Sequence, residues 1–130
     1  MKAYTDLEQS KKLIELGIDV KTADMRFCFS HTLGGRITGH YPMIGREPSM
    51  GTTPCWSLAA LLELIPPYLG EFKDGIDFGL SKSMNGKWYS AHYIQLNDDG
   101  ISTFNKTVTG DTAIDAVFEM VVWLKENGKI

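Results

Sequence analysis

Three features that would assign a functional class are missing from this sequence. No apolar run approaches the length of a membrane-spanning helix, which excludes a membrane protein. Basic residues are not in excess, since 13 Lys and Arg stand against 16 Asp and Glu without a basic cluster, so we expect no nucleic-acid partner. The only cysteines are Cys28 and Cys55, which we interpret as thiols. The first residues contain no apolar stretch of signal-peptide type, so the expected location is the cytoplasm.

The composition that is present is that of an ordinary folded protein. The 130 residues are 43% hydrophobic and 22% charged, with a formal net charge of -3. This balance disfavours intrinsic disorder. A chain of this length buries roughly two-thirds of its unfolded surface on folding, which is enough for one core. We therefore expect a single domain over residues 1–130.

Three segments carry helical patterns. The first begins at Thr5 as N-cap, with Glu8 three residues later as in a capping box. The second is expected to begin near Pro54, with Thr53 as its cap, and it is apolar on most sides. The last begins after Gly110, and its apolar arc is wider than one sheet face needs. We expect the second helix to cover that arc, with a second subunit as the alternative.

Alternating apolar and polar residues predict the strands. Residues 25–30 alternate in this way, and residues 76–81, 88–96 and 101–108 form a three-stranded meander with Asn85-Gly86 as a hairpin turn. The predicted order is therefore α-β-loop-α-β-β-β-α. This order predicts an α+β fold in which an antiparallel, three- to four-stranded meander sheet packs against helices on one face.

Residues 31–54 are expected to be irregular, because they contain five glycines and three prolines. Only a short strand around Ile37 is compatible with so many breakers. A loop of this length is either functional or a plain excursion, and the pattern leaves both open. Arg36 is a candidate ligand-binding residue in it. His31 and His40 lack further ligands at a suitable spacing, so we expect no metal site and no cofactor.

Three other segments show a likeness to known proteins. They are residues 4–17, 54–62 and 115–130, which make up 39 of the 130 residues. Together they resemble small proteins of gut Bacteroides-type bacteria and of their phages or mobile elements. The resemblance implies a bacterial or phage cytosolic protein, and it implies no activity.

One set of residues favours catalysis. Cys55 is expected at a helix N-terminus, where the dipole and unpaired amides stabilise a thiolate, while His92 and Asn105 lie on successive strands. This is a papain-like arrangement. Cys55-Trp56-Ser57 resembles the head of the papain helix, and residues 92–100 resemble the histidine strand and turn of small papain-like cell-wall peptidases. The resemblance implies that Cys55 is a nucleophile, His92 a base and Asn105 an orienting residue.

The same residues also have a purely structural interpretation. Cys55 is then a small apolar residue at the end of a buried helix, and His92 lies on a sheet surface. Residues 52–54 are Thr-Thr-Pro, which departs from the glycine-rich approach to the papain cysteine.

Aromatic side chains on the meander suggest a binding surface. Alternation groups its residues into two faces, which are Trp88, Ser90, His92 and Ile94 on one side and Tyr89, Ala91, Tyr93 and Gln95 on the other. Tyr89 and Tyr93 suit a half-exposed binding surface, although cross-strand pairing accounts for them equally. Trp123 on the last helix marks a second candidate patch.

These features predict a small cytosolic protein that acts by binding rather than by catalysis. Its expected partner is another protein, a second copy of the chain or a small ligand. A papain-like cysteine hydrolase or transferase that uses Cys55 and His92 is the alternative.

Overall fold

The structure, a computed structural model, describes residues 2–31, 37–44, 52–96, 98–100 and 102–130. Within these ranges the chain forms three α-helices and seven strands. The helices are α1 (Leu7–Glu15), α2 (Leu58–Leu64) and α3 (Ala113–Glu126). The strands are β1 (Met25–His31), β2 (Ile37–Ile44), β3 (Thr53–Cys55), β4 (Tyr68–Leu69), β5 (Ile76–Lys82), β6 (Tyr89–Leu96) and β7 (Ser102–Gly110).

The strands form two antiparallel sheets. A four-stranded sheet has the order β4-β5-β6-β7, and a three-stranded sheet has the order β2-β1-β3. Helix α3 packs against β5, β6 and β7, and α2 packs against α3. The predicted α+β fold with a meander sheet against helices is therefore confirmed, as is the packing of the second helix on the last. In the part of the chain that the structure describes, no helix is both long and apolar enough to cross a membrane.

The start of α1 lies one residue later than predicted. Asp6 is the N-cap: its carboxylate accepts a hydrogen bond from the Gln9 amide at 2.8 Å, and the Gln9 side chain accepts one from the Asp6 amide at 3.1 Å. The predicted pairing of Thr5 with Glu8 is wrong. Thr5 is instead fully buried, and its hydroxyl accepts a hydrogen bond from the Trp56 amide at 3.0 Å. Thr5 therefore joins the N-terminus to the segment before α2.

The prediction of an irregular segment over residues 31–54 is wrong for most of the part that the structure describes, whereas the short strand allowed around Ile37 is present. Residues 37–44 form β2 along one side of β1, and residues 53–55 form β3 along the other. Pro42 is tolerated in β2 because it is an edge strand, where a missing amide donor interrupts no ladder on the outer side. Arg36 lies outside the described residues.

Helix α2 also begins later than predicted. Its N-cap is Ser57, whose hydroxyl accepts a hydrogen bond from the Ala60 amide at 3.2 Å, and Pro54 and Cys55 precede it in extended conformation. Proline, which has no amide proton, suits an edge strand as well as a first helical turn, because neither position requires a backbone hydrogen-bond donor. Because Cys55 pairs with Met25 of β1, the segment around Pro54 is an edge strand and not the first turn of a helix.

The hydrophobic core lies between the four-stranded sheet and the helices. Its fully buried members include Leu13, Trp56, Leu61, Ala91, Tyr93, Ile114, Val117, Met120, Val121 and Leu124. The N-terminus is tied to α3 by Lys2 and Gln9, whose side chains contact the Asp115 carboxylate at 2.7 and 2.9 Å. Helix α3 covers one side of the four-stranded sheet. The candidate site lies on the opposite side of that sheet.

Candidate binding groove

The two faces of the four-stranded sheet differ in what covers them. Tyr93 and Ala91 of β6 are 0% exposed and belong to the core beneath α3, so we call this side the covered face. Neighbouring residues of the same strand point to the opposite side, which we call the open face. Trp88 and Phe104, on the open face, are 43% and 58% exposed. The predicted grouping of alternate residues is confirmed.

The expectation that Tyr89 and Tyr93 form a half-exposed surface is wrong for Tyr93, because these residues lie on the covered face. The Tyr93 hydroxyl donates a hydrogen bond to the Pro66 carbonyl at 2.7 Å, and burial raises the pKa of Tyr93 to about 12. Tyr89 is half-buried and packs against the core, with the Lys82 ammonium 5.7 Å from its ring centroid.

Trp123 is likewise part of the packing on the covered side. It is half-buried against the core, and the Lys106 ammonium lies 5.4 Å from its ring centroid. One side of the Trp123 indole packs on the core, and the Lys106 ammonium lies over the ring. Trp123 is therefore not the centre of an exposed apolar patch of the kind that the sequence led us to expect.

The open face contains a groove of about 750 Å³. Strand β7 and the hairpin between β5 and β6 form its walls, and β6 forms its floor. Its lining residues are Ser81, Lys82, Ser83, Met84, Asn85, Trp88, Ser90, His92, Phe104, Thr107 and Thr109. The exposed apolar side chains of Met84, Trp88 and Phe104 project around a floor of small polar groups.

The hairpin wall follows the predicted turn at Asn85-Gly86. Gly86 has a φ of +72°, a conformation that glycine adopts without strain. The Ser83 amide donates to the Trp88 carbonyl at 2.8 Å, and this bond closes the turn. Trp88 is thereby placed at the mouth of the groove.

His92 occupies the floor of the groove. It is only 9% exposed, and its Nδ1 lies 3.0 Å from the Ser90 hydroxyl. Its ring meets the Phe104 ring edge to face, with centroids 5.4 Å apart. Burial lowers the pKa of His92 below its ordinary value, so the imidazole is neutral at pH 7.

Gly79 creates the space in which the imidazole lies. It pairs with His92 across β5 and β6, and a Cβ atom added to Gly79 would stand 2.5 Å from His92 Nε2. Any side chain here would therefore displace the tip of the ring. The sequence offered no signal for this role, because it depends on the cross-strand register.

Charge is scarce around the groove. Among the described residues that line it, Lys82 is the one that carries a charge, and its ammonium lies over the Tyr89 ring. No group of three or more His, Cys, Asp or Glu side chains capable of holding a metal ion occurs among the described residues. The arrangement suits an uncharged, mostly apolar molecule.

The structure does not bring the candidate catalytic residues together. Cys55 lies on β3 of the other sheet and is 0% exposed, whereas His92 faces the groove. Burial, followed by the nearby Asp24 carboxylate, raises the pKa of the Cys55 thiol to about 12. The expected thiolate at a helix N-terminus is thus replaced by a protonated, inaccessible thiol in a strand.

Asn105 does not orient His92 either. The pairing of β6 with β7 passes from Tyr93–Lys106 to Ile94–Phe104, so Asn105 is the extra residue of a β-bulge. Its side chain is exposed, and the hydrogen-bond partner of His92 is Ser90.

Comparison with protein-family models, with curated proteins and with solved structures finds no match to this chain.

Proposed function

We propose that this chain is a non-catalytic binding protein that holds a small, uncharged and predominantly apolar molecule in the open-face groove. The observation that carries the proposal is the contrast within the groove. Exposed Trp88, Met84 and Phe104 surround a floor on which Ser90 and His92 are more than nine-tenths buried. Apolar walls around a few convergent polar groups are the usual composition of a small-molecule site.

The size of the groove supports a small ligand. A volume of about 750 Å³ lies within the range of roughly 300–1,000 Å³ that such sites occupy. The ligand would cover aromatic surface that now faces water, and removal of that surface from water is the main source of affinity.

The surroundings of His92 favour binding over chemistry. Its Nδ1 is hydrogen-bonded to Ser90, and the described hydrogen bonds include no carboxylate that would orient the imidazole as a base. Cys55, the nucleophile of the papain-like hypothesis, remains a protonated thiol in the other sheet. A reducing, cytoplasmic location, as predicted from the sequence, is compatible with that thiol.

A titration with the uncharged dye phenylnaphthylamine tests the proposal. We expect one saturable site, seen as increased dye emission and altered Trp88 fluorescence. Phe104→Ser and Trp88→Ser each remove an aromatic wall and should weaken binding by about tenfold or more. The matched control is Leu96→Ser, because Leu96 is 66% exposed but does not line the groove. It should bind the dye like the parent chain.

Two results would overturn the proposal. One is equal binding by the Phe104→Ser variant and the parent chain, which would place the dye elsewhere. The other is dye affinity that falls as the concentration of the chain rises, because a second copy of the chain would then be the occupant of the groove.

A further inference from the structure

The floor of the groove holds a polar side-chain atom, His92 Nε2, whose residue is largely buried. His92 is 9% exposed, and its recorded hydrogen bond uses Nδ1 alone. Its Nε2 has no hydrogen-bond partner within the described part of the chain, and yet no side-chain polar atom there is both fully enclosed and unpaired. Nε2 is therefore reachable from the groove, in a residue that is otherwise removed from water.

The partner of Nδ1 determines what Nε2 can offer. The Ser90 hydroxyl is buried, and its recorded hydrogen bond is the one to His92. If Nδ1 carried the proton, that hydroxyl would accept from it, and its own hydrogen would lack an acceptor. Donation from Ser90 to Nδ1 satisfies both groups. A neutral imidazole then carries its proton on Nε2, which makes Nε2–H a donor.

We propose that the Nε2–H group of His92 is the hydrogen-bond donor that orients the ligand, and that the ligand is an uncharged apolar molecule bearing a carbonyl oxygen. This inference rests on the proposed function, because it names the chemical class that the same groove selects.

A carbonyl fits better than a carboxylate. The imidazole is neutral, and the ammonium of Lys82, the one cation among the lining residues that the structure describes, lies over the Tyr89 ring. A carboxylate beside His92 would lose water without gaining a cation, which is costly in a half-enclosed site. A carbonyl needs one donor and carries no net charge.

Gly79 acts as the positioning residue. A Cβ atom at this site would lie 2.5 Å from Nε2, so Gly79→Ala should push the imidazole tip aside. The atom that must move is the far end of a side chain, which allows the variant to fold. Gly79→Ala thus changes the position of the donor while His92 is retained.

Two matched probes test the inference. One is a dimethylaminonaphthalene that carries a propionyl group, and the other carries a propyl group in its place. We expect the parent chain to bind the ketone about five- to tenfold more tightly, and the emission of the ketone to show a hydrogen-bonded carbonyl. His92→Phe should remove the preference and the spectral signature while both probes still bind.

Three further variants make the test specific. Gly79→Ala should reduce the preference although the imidazole is present, and it provides the answer if His92→Phe does not fold. His92→Gln, whose amide can donate, should restore part of it. Asn105→Ala is the matched control, since it removes an exposed polar side chain of β7 that does not line the groove and should leave the preference unchanged.

The outcomes separate the two claims. Equal binding of ketone and propyl probes overturns the carbonyl inference and leaves the groove as a binding site. Retention of the preference in both His92→Phe and Gly79→Ala, or its loss in Asn105→Ala, overturns the role of His92. Failure of both probes to bind the parent chain overturns the proposed function and this inference with it.

Discussion

Adjacent residues of β6 place a buried ring on each side of the same sheet, and the two rings differ in how completely they are satisfied. Tyr93, on the covered face, is 0% exposed, and its hydroxyl donates to Pro66. His92, on the open face, is 9% exposed, with one ring nitrogen bonded to Ser90 and the other available. Tyr93 is thus completely buried with its hydroxyl paired, whereas His92 is largely buried but keeps its Nε2 atom available for a further hydrogen-bond partner.

This difference indicates that burial has a different role for Tyr93 than for His92, although the two residues are neighbours in β6. On the covered face, α3 supplies the apolar surface and the chain supplies every hydrogen bond of the tyrosine, so the contact stabilises the fold. On the open face, the histidine is held by Ser90, Gly79 and Phe104, and its Nε2 has no hydrogen-bond partner among the described residues. A side chain that is fixed but not fully paired is what the proposed ligand site requires.

The largest expected contrast concerns thiol reactivity. In a Cys28→Ala background, native Cys55 should react with iodoacetamide only through unfolding, because it is fully enclosed and its pKa is raised to about 12. A Thr107→Cys variant places a thiol on the open face. We expect it to react at least about a thousandfold faster than Cys55. Rapid labelling of native Cys55, especially if His92→Ala slows it, would revive the papain-like hypothesis.

Aromatic truncation on the two faces should affect stability unequally. Tyr93→Ala should lower the free energy of unfolding by about 3–5 kcal/mol, because it opens a cavity beneath α3. Phe104→Ala, at a residue that is 58% exposed, should lower it by less than about 1 kcal/mol. Urea denaturation measures both. A comparable loss in the two variants would mean that something covers the open face in solution.

The hydroxyl of Tyr93 provides a finer test. Tyr93→Phe keeps the ring but removes the bond to Pro66, at a cost of about 1 kcal/mol. Burial raises the pKa of Tyr93 to about 12. The stability that the protonated Tyr93 hydroxyl contributes is therefore fully present below the ordinary tyrosine pKa of about 10, and it is lost as the pH rises from there toward 12. The variant should lack this part of the alkaline loss. An identical alkaline profile for both chains would contradict the buried hydroxyl.

The smallest expected effect is the pH dependence of ligand binding. Burial lowers the pKa of His92, and a ligand that covers the groove should lower it further. Protons therefore compete with the ligand, and affinity should fall by a factor of about two to five as pH drops below about 6.5. The charged residues on the strands that flank His92 are Asp77 and Lys82 of β5 and Lys106 of β7. His92→Phe should abolish the dependence, and affinity that rises in acid would instead indicate an anionic ligand.

Local periodicity in the sequence predicted the strands of the meander sheet, but it did not predict which face of the sheet the helices cover. The meander, its Asn85-Gly86 turn and the grouping of alternate residues follow from short-range patterns, and the structure confirms them. Which group faces the helices is not a local property. Both groups contain aromatic residues, so only the docking of α3 onto Tyr93 and its neighbours determines which face is covered.

The errors near Cys55 have the same origin. Thr53-Pro54 is a good helix start by local rules, but pairing with β1 makes these residues a strand and leaves Ser57 as the cap. In β2, Pro42 appeared to forbid a strand, but an edge position tolerates it. Long-range strand pairing overrides local preference at both places, and it also removes the signal on which the papain-like hypothesis depended.

The most direct test of a ligand site on the open face is an amide and indole NMR titration of the labelled chain with the ketone probe. If this site binds the probe, we expect perturbed signals from the Trp88 indole and from Ser90, His92, Phe104 and Thr107, with small changes along α3. Perturbation centred on α3 or on the three-stranded sheet, or no perturbation at saturating probe, would contradict it.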